Sequence, residues 1–562
     1  MEANRDVELE LTALERRLDE VVRESRRRER RHRITLLLLG APFLVAATVT
    51  VKNADLLIDR NGSNSYDIKL RGNDGAADRD VSVRNVAGGG TYRLGVYDNS
   101  GATELWTVTK DGDSTLTRNL NVNGDVTLGD GAGDAIKTRG KLNRVVVVDG
   151  TAEPSIQNAL NALPASGGTV FIPEGTYVIT SALTLPAGRN NVTIQGAGRG
   201  TIIQSASTAA NLLYVDSGRT GIVVRDLFLR YSVAPTAGGQ RGVHFQGGID
   251  CVVTGCWFEN CYYGVAAIGD ATYAVRRLIV SGNQFVSCSY GVWFFGTNAS
   301  YYVQRCKVSD NVMEMGGAGW FGIMIEFANV TSITGNVVND PGSYGIWNSL
   351  SVRTTVSGNS VSSSGSSGIR NASSPYATIS GNSIQDSGSD GIQNDSSSDV
   401  AITGNAVYNS ATSGIANSGA VVTISGNTVR IAGSFGVYSG SSRCVISSNT
   451  IESAAGDGIY NNWGTYASIS GNVVYAPGGM GIHNEGAVVS ITGNSISWAG
   501  TYGIYNQYGD EVAIGSNVVY YPGAMGICSD GEWVDYSARV DIDGNPIIGS
   551  TKALWAAYSG RA

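Results

Sequence analysis

Between residues 280 and 545 the chain repeats one pattern of apolar and polar positions. A β-branched residue stands three places before an Asn, another two places after it and a third ten places after it: Ile333, Val338 and Ile346 about Asn336, then Val356, Val361 and Ile369 about Asn359, then Ile379, Ile384 and Ile392 about Asn382. Alternation within each short run predicts strands with one face turned inward, and no period of 3.6 residues fits it. The Asn recurs at 283, 311, 336, 359, 382, 405, 427, 449, 472, 494, 517 and 545, mostly 22 or 23 residues apart. Three strands per turn at that period predict a solenoid whose like residues stack about 4.8 Å apart. Each Asn amide can then bond the next one while satisfying the bend it occupies. Gly precedes most of these Asn residues and tolerates positive φ; Asp310, Ser448 and Ser516 replace it. A second Gly, nine after each Asn from Gly345 to Gly526, fixes the register.

Ahead of the solenoid the pattern changes twice. Residues 6–24 place Leu11, Leu14, Leu18 and Val21 at three- and four-residue steps, the seam of a short coiled coil or one face of a solvated helix. Seven Arg between Arg23 and Arg33 precede an uncharged run, Ile34–Val51, whose 18 residues would span about 27 Å as a helix. This predicts a single-pass membrane anchor with the N-terminus cytoplasmic and the solenoid extracellular. A signal peptide cut near Val45-Ala46-Ala47 is the rival. From 54 to 141, short apolar runs between Asn, Asp and Gly predict β-hairpins. This stretch is similar in composition to the stalks of trimeric phage tail fibres, and the resemblance implies a homotrimer. The expected order is a charged helix at 1–33, the anchor at 34–51, a β stalk at 52–141, a parallel β-helix at 142–550 and a tail at 551–562. The fold class is all-β, preceded by the N-terminal helix and its transmembrane segment.

A net charge of -8 argues against nucleic acid as a partner. The seven Cys show no paired metal-binding spacing, so neither metal nor cofactor is expected. Cys251, Cys306 and Cys444 fall five places before the Asn position, where other turns carry apolar residues, and are read as core. Cys261 and Cys288 hold one place on adjacent turns, within reach of a disulfide in an oxidising compartment.

The segment VVVVDGTAEPSIQNALNALPASGGTVFIPEGTYVITSALTLP, followed by VTIQGAGRGTII, resembles the opening of pectate-lyase-like domains of tailspikes and bacterial surface glycan enzymes. The resemblance implies a right-handed parallel β-helix with a capping helix near Glu153–Leu163. It also implies an extracellular polysaccharide as partner, with a structural or adhesive appendage and a tailspike-like protein as alternatives. The Asp-rich and Gly-His-Gly patterns of hydrolases in that family are absent, which leaves enzymatic activity open.

Turns lengthen between Asp226 and Asn336, and a groove is expected there. The residue after each Gly-Val or Gly-Ile pair should point outward, giving the column His244, Ala266, Trp293, Met324, Trp347, Arg370, Gln393, Ala416, Tyr438, Tyr460, His483, Tyr505 and Cys528. Trp293 and Trp347 are the candidates for stacking on sugar rings; for the remaining rings a plain strand preference suffices. A second outward column, Asp250, Arg277, Arg305, Val330 and Arg353, sets Arg277 beside Arg305, where an acidic sugar could bind. A surface ion pair from Asp250 to Arg277 competes with that reading. For hydrolysis the best carboxyl pair is Asp270 and Glu326. For β-elimination His244 is the candidate base, working with an Arg.

Overall fold

The computed structural model describes strand backbone between residues 32 and 116, and residues 145–148, 154–207, 211–236, 238–297, 302–317, 320–530 and 540–557. The chain divides into two compact units, Met1–Ile136 and Lys137–Ala562. The coiled-coil reading of residues 6–24 lies outside the described residues.

In the first unit the uncharged run is an antiparallel hairpin, His32–Gly40 against Phe43–Val51, and not one helix. The reason is local: Pro42 lacks an amide hydrogen and would break a helix near the middle of the run, Gly40 precedes it, and Thr48-Val49-Thr50-Val51 favours strand. No described helix is long and apolar enough to cross a membrane. Six antiparallel strands between Ala54 and Leu116 then pair in sequence order as a meander, as the hairpin signals predict.

The second unit is a right-handed parallel β-helix. A first sheet of 17 strands runs from Val145–Val147 to Val540–Asp543, with second and third sheets of 16 strands each. Pairing joins equivalent residues on successive turns, as with Ile333 to Val356 to Ile379. These side chains are at most 1% exposed and form aliphatic columns. Burying each contributes about 1.5–3 kcal/mol relative to exposure. The helix Pro154–Asn161 covers the first turns with Ile156 and Leu160, while Gln157 bonds both backbone groups of Thr184 at 2.9 Å.

The Asn ladder is continuous from Asn283 to Asn545. Asn405 shows its form. Its Nδ2 donates to Asn427 Oδ1 and to the Ile379 carbonyl, both at 2.9 Å. Its own Oδ1 accepts from the amide and the side chain of Asn382. The residue before each Asn has positive φ, whether Gly335 (67°) or its substitutes Asp310, Ser448 and Ser516. The second Gly landmark has a different cause, close approach: a Cβ on Gly345 would stand 2.3 Å from Val361 Cγ1. A second ladder, Asn348–Asn371–Asn394–Asn417, resumes as Asn461–Asn484–Asn506 on the third sheet.

The cysteines assigned to the core, Cys251, Cys306 and Cys444, are buried there. Cys261 and Cys288 are also buried, and both are free thiols.

Candidate functional site

The longer early turns build structure before they build a groove. Their extra residues form a short fourth sheet of Gly248–Ile249, Val275–Arg276, Val303–Gln304 and Ala328–Asn329. The residues that follow these strands turn the corner: Asp250, Arg277, Arg305 and Val330 all have φ between 54° and 56°. The expected second outward column is therefore a column of left-handed corner residues. Asp250 takes up Arg277, whose Nη2 reaches Asp250 Oδ2 at 2.8 Å, and both are about half exposed. Such an exposed pair is screened by solvent and adds little to stability. Arg305, one turn on, is exposed and has no ion pair among the described residues.

The first outward column follows the expected register from His244 through Trp293, Trp347 and Tyr460 to Cys528. It lies less open than expected, because a flanking column covers it. The residue before each landmark Gly faces the same way, which adds Tyr263, Tyr290, Phe321 and Tyr344 beside Trp293, Met324 and Trp347. The Trp293 ring stacks on Tyr263 with centroids 4.6 Å apart, and Trp347 lies 5.1 Å from Phe321. Arg370 caps this belt, 5.2 Å above the Tyr344 ring and bonded to the Tyr344 hydroxyl at 2.7 Å. The signal was present in the sequence as Tyr-Gly-Val, Tyr-Gly-Val, Phe-Gly-Ile and Tyr-Gly-Ile on four successive turns.

The candidate catalytic residues do not converge. Asp270 Oδ1 accepts the backbone amides of Thr272 and Tyr273 at 2.8 Å, and Oδ2 accepts from Gln246. It closes a loop. Glu326 pairs in register with Phe295, and Phe295 with Ile268, two residues before Asp270. Two rungs and two residues of strand put the Cα atoms of Asp270 and Glu326 about 12 Å apart, with Asp270 turned back on its own loop. Burial raises the Glu326 carboxyl above its usual range, but among the described residues no second carboxylate is paired with it as a glycosidase requires. His244 is 5% exposed, with Arg241 Nη1 2.9 Å from Nδ1. Burial first, and Arg241 second, push its pKa down to about 3. An imidazole that weakly basic is a poor acceptor for a sugar proton.

Comparisons with known proteins bear on this geometry as follows. No curated protein matches the chain. Among solved structures, Dettilon tailspike protein is 16% identical with a TM-score of 0.43, over 59% of this chain and 66% of the tailspike, just under two thirds of its length. The A-module of an Azotobacter vinelandii mannuronan C-5 epimerase is 18% identical with a TM-score of 0.35, over 71% of this chain and 94% of the module. The catalytic unit of an α-1,3-glucanase from Streptomyces thermodiastaticus is 16% identical with a TM-score of 0.34, over 74% and 70%. A family model described as periplasmic copper-binding protein (NosD) matches residues 222–420 and again 387–560, together three fifths of the chain.

The described residues of the solenoid offer no assembled donor set for copper. Among the described residues no three His, Cys, Asp or Glu side chains meet as ligands. A cysteine would hold a metal as its thiolate, yet burial pushes Cys251 up to about 11 and both Cys256 and Cys306 up to about 12. The solenoid, matched twice over overlapping stretches of its turns, places this chain in the NosD family.

Proposed function

We propose that the early turns of the third sheet bind an extended acidic polysaccharide without cleaving it. The observation that carries this reading is the aromatic belt of Tyr263, Trp293, Phe321, Tyr344 and Trp347, packed across four turns. Such flat apolar surfaces suit sugar rings and leave sugar hydroxyls to polar partners at the edges. Local cations supply the sign: exposed Arg305 and the Asp250-paired Arg277 stand on these turns, although residues 222–347 as a whole hold seven Lys and Arg against eight Asp and Glu. The positions of Asp270, Glu326 and His244 favour binding over hydrolysis or elimination. Extracellular placement belongs to the same proposal, as does a tether through Ile34–Val51. The tether rests on the uncharged run alone, since a lone hairpin leaves backbone groups unsatisfied in lipid. Recovery of the intact chain in the soluble fraction without detergent would exclude it.

Binding of polygalacturonate by the full chain tests the reading. Trp293→Ala should weaken it about fivefold, the effect of losing one aromatic contact. Arg305→Gln should flatten its salt dependence, because an exposed charge is screened. Tyr408→Ala, an exposed ring on the second sheet, should leave binding unchanged. A chain that binds no polysaccharide of any charge would be a spacer or adhesive appendage, and this reading would fail.

A further inference from the structure

The solenoid is electrically lopsided. Residues 444–538 contain eight Asp and Glu and not one Lys or Arg, whereas residues 222–347 set seven Lys and Arg against eight Asp and Glu. On these late turns the third sheet again presents rings: Tyr460, His483 and Tyr505 succeed one another at centroid distances of 4.5 and 5.3 Å. Carboxylates frame them. Asp457 Oδ2 lies 3.2 Å from His483 Nδ1, and Glu485 Oε1 lies 3.8 Å from His483 Nε2, with Gln507 Oε1 at 3.3 Å. At the outer edge Trp463 is 62% exposed, and its ring lies parallel to Tyr508, 5.7 Å away and only 5° from coplanar. These two rings belong to alternate turns. The turn between them is one residue shorter: Asn484 donates to Gly486, two places on, where Asn461 and Asn506 donate to Gly464 and Gly509, three places on, so this turn lacks the residue equivalent to Trp463 and Tyr508. The described residue that brings positive charge back to this face is Lys552, which pairs with Met525 two turns beyond Tyr505.

We propose that this late-turn face is a separate binding site for a cationic glycan, a polymer of sugars that carry free ammonium groups. The inference rests on the reading of the third sheet as a glycan-binding face and adds a second ligand of opposite charge. Ring faces attract ammonium ions through their quadrupoles, and carboxylates with no Lys or Arg partner among the described residues add to that attraction. A uronate polymer would be repelled by the same groups. Exposed Trp463 and half-buried Tyr508 would stack on the sugar rings, while Glu485 and exposed Glu511 supply negative charge on these turns.

The test uses the full chain and a fully deacetylated chitosan oligosaccharide at pH 6, with neutral dextran and an oligolysine of equal charge as comparators. The chitosan oligosaccharide should bind, and dextran and oligolysine should bind far more weakly. Trp463→Ala should weaken chitosan binding about fivefold, Trp463→Phe should restore most of it, and Glu511→Gln should reduce its salt dependence. None of these changes should alter polygalacturonate binding. Oligolysine binding as tight as chitosan, with Trp463→Ala silent, would mark the face as a field for basic proteins and overturn the proposal. So would absence of chitosan binding by a chain that still takes polygalacturonate. Chitosan binding without polygalacturonate binding would instead sink the early-turn reading alone.

Discussion

Asn405→Leu is expected to destabilise the solenoid by about 3 kcal/mol, the largest single-residue effect foreseen here. Asn405 sits in the middle of the ladder, 1% exposed, with bonds to both neighbouring turns. Leucine has nearly the same volume, so no cavity opens. What is lost is polar satisfaction: the Ile379 carbonyl loses a donor, and the Asn382 amide and side chain lose their shared acceptor. Each orphaned group keeps its desolvation cost, because water cannot reach it. Thr423→Leu, on the exposed face of the first sheet and paired with Ala401, should change stability by under about 0.5 kcal/mol. Urea unfolding of the two variants gives the comparison. Equal midpoints would mean that the ladder records the fold without stabilising it.

The second large effect is a dependence on pH through His244. Its folded pKa, about 3, lies below the ordinary value near 6.5. With the folded value depressed, the unfolded chain takes up the proton first. Stability is therefore intact above pH 6.5 and is lost progressively as pH falls from 6.5 towards 3. Between pH 7.5 and 4.5 this one group should cost about 2 to 3 kcal/mol. His244→Gln cannot take up that proton, so the variant should lose less stability over the same interval, by about that amount. Unfolding curves at the two pH values test it, and parallel losses in both proteins would show that His244 takes up its proton in the native state as readily as in the unfolded chain.

The regular turns were legible because their side chains answer to strict chemistry. Asn at a stacked bend, Gly where a Cβ would strike Val361, and Ile or Val facing inward each admit few substitutes, so periodicity reads through. The register of the column from His244 to Cys528 followed from the same landmarks. Exposure did not follow. Whether Trp293 is open or covered depends on Tyr263, a neighbour on another turn, and counting within one turn does not show that contact. The fourth sheet escaped notice for a related reason. Extra residues per turn can build a groove or a strand, and Gly248–Ile249 to Ala328–Asn329 build a strand, leaving Arg277 and Arg305 at a corner. Asp270 and Glu326 were chosen by residue type, whereas their separation is set by rungs of the sheet. The late rings were counted in the column, yet Glu485 and Asp457 approach His483 only through side-chain reach across turns. Hydrophobicity suggested a helix for Ile34–Val51, although Pro42 and the β-branched end point to the hairpin.

The central claim is that the third sheet's outward face is the glycan-binding surface of this β-helix. Hydroxyl-radical footprinting of the full chain, with and without saturating polygalacturonate, tests it most directly because it reads every aromatic ring at once. The account predicts protection confined to Tyr263, Trp293, Tyr344 and Trp347 on the early turns, with Tyr408 on the second sheet unchanged. Protection of Tyr408 while the early third-sheet rings stay reactive would contradict it.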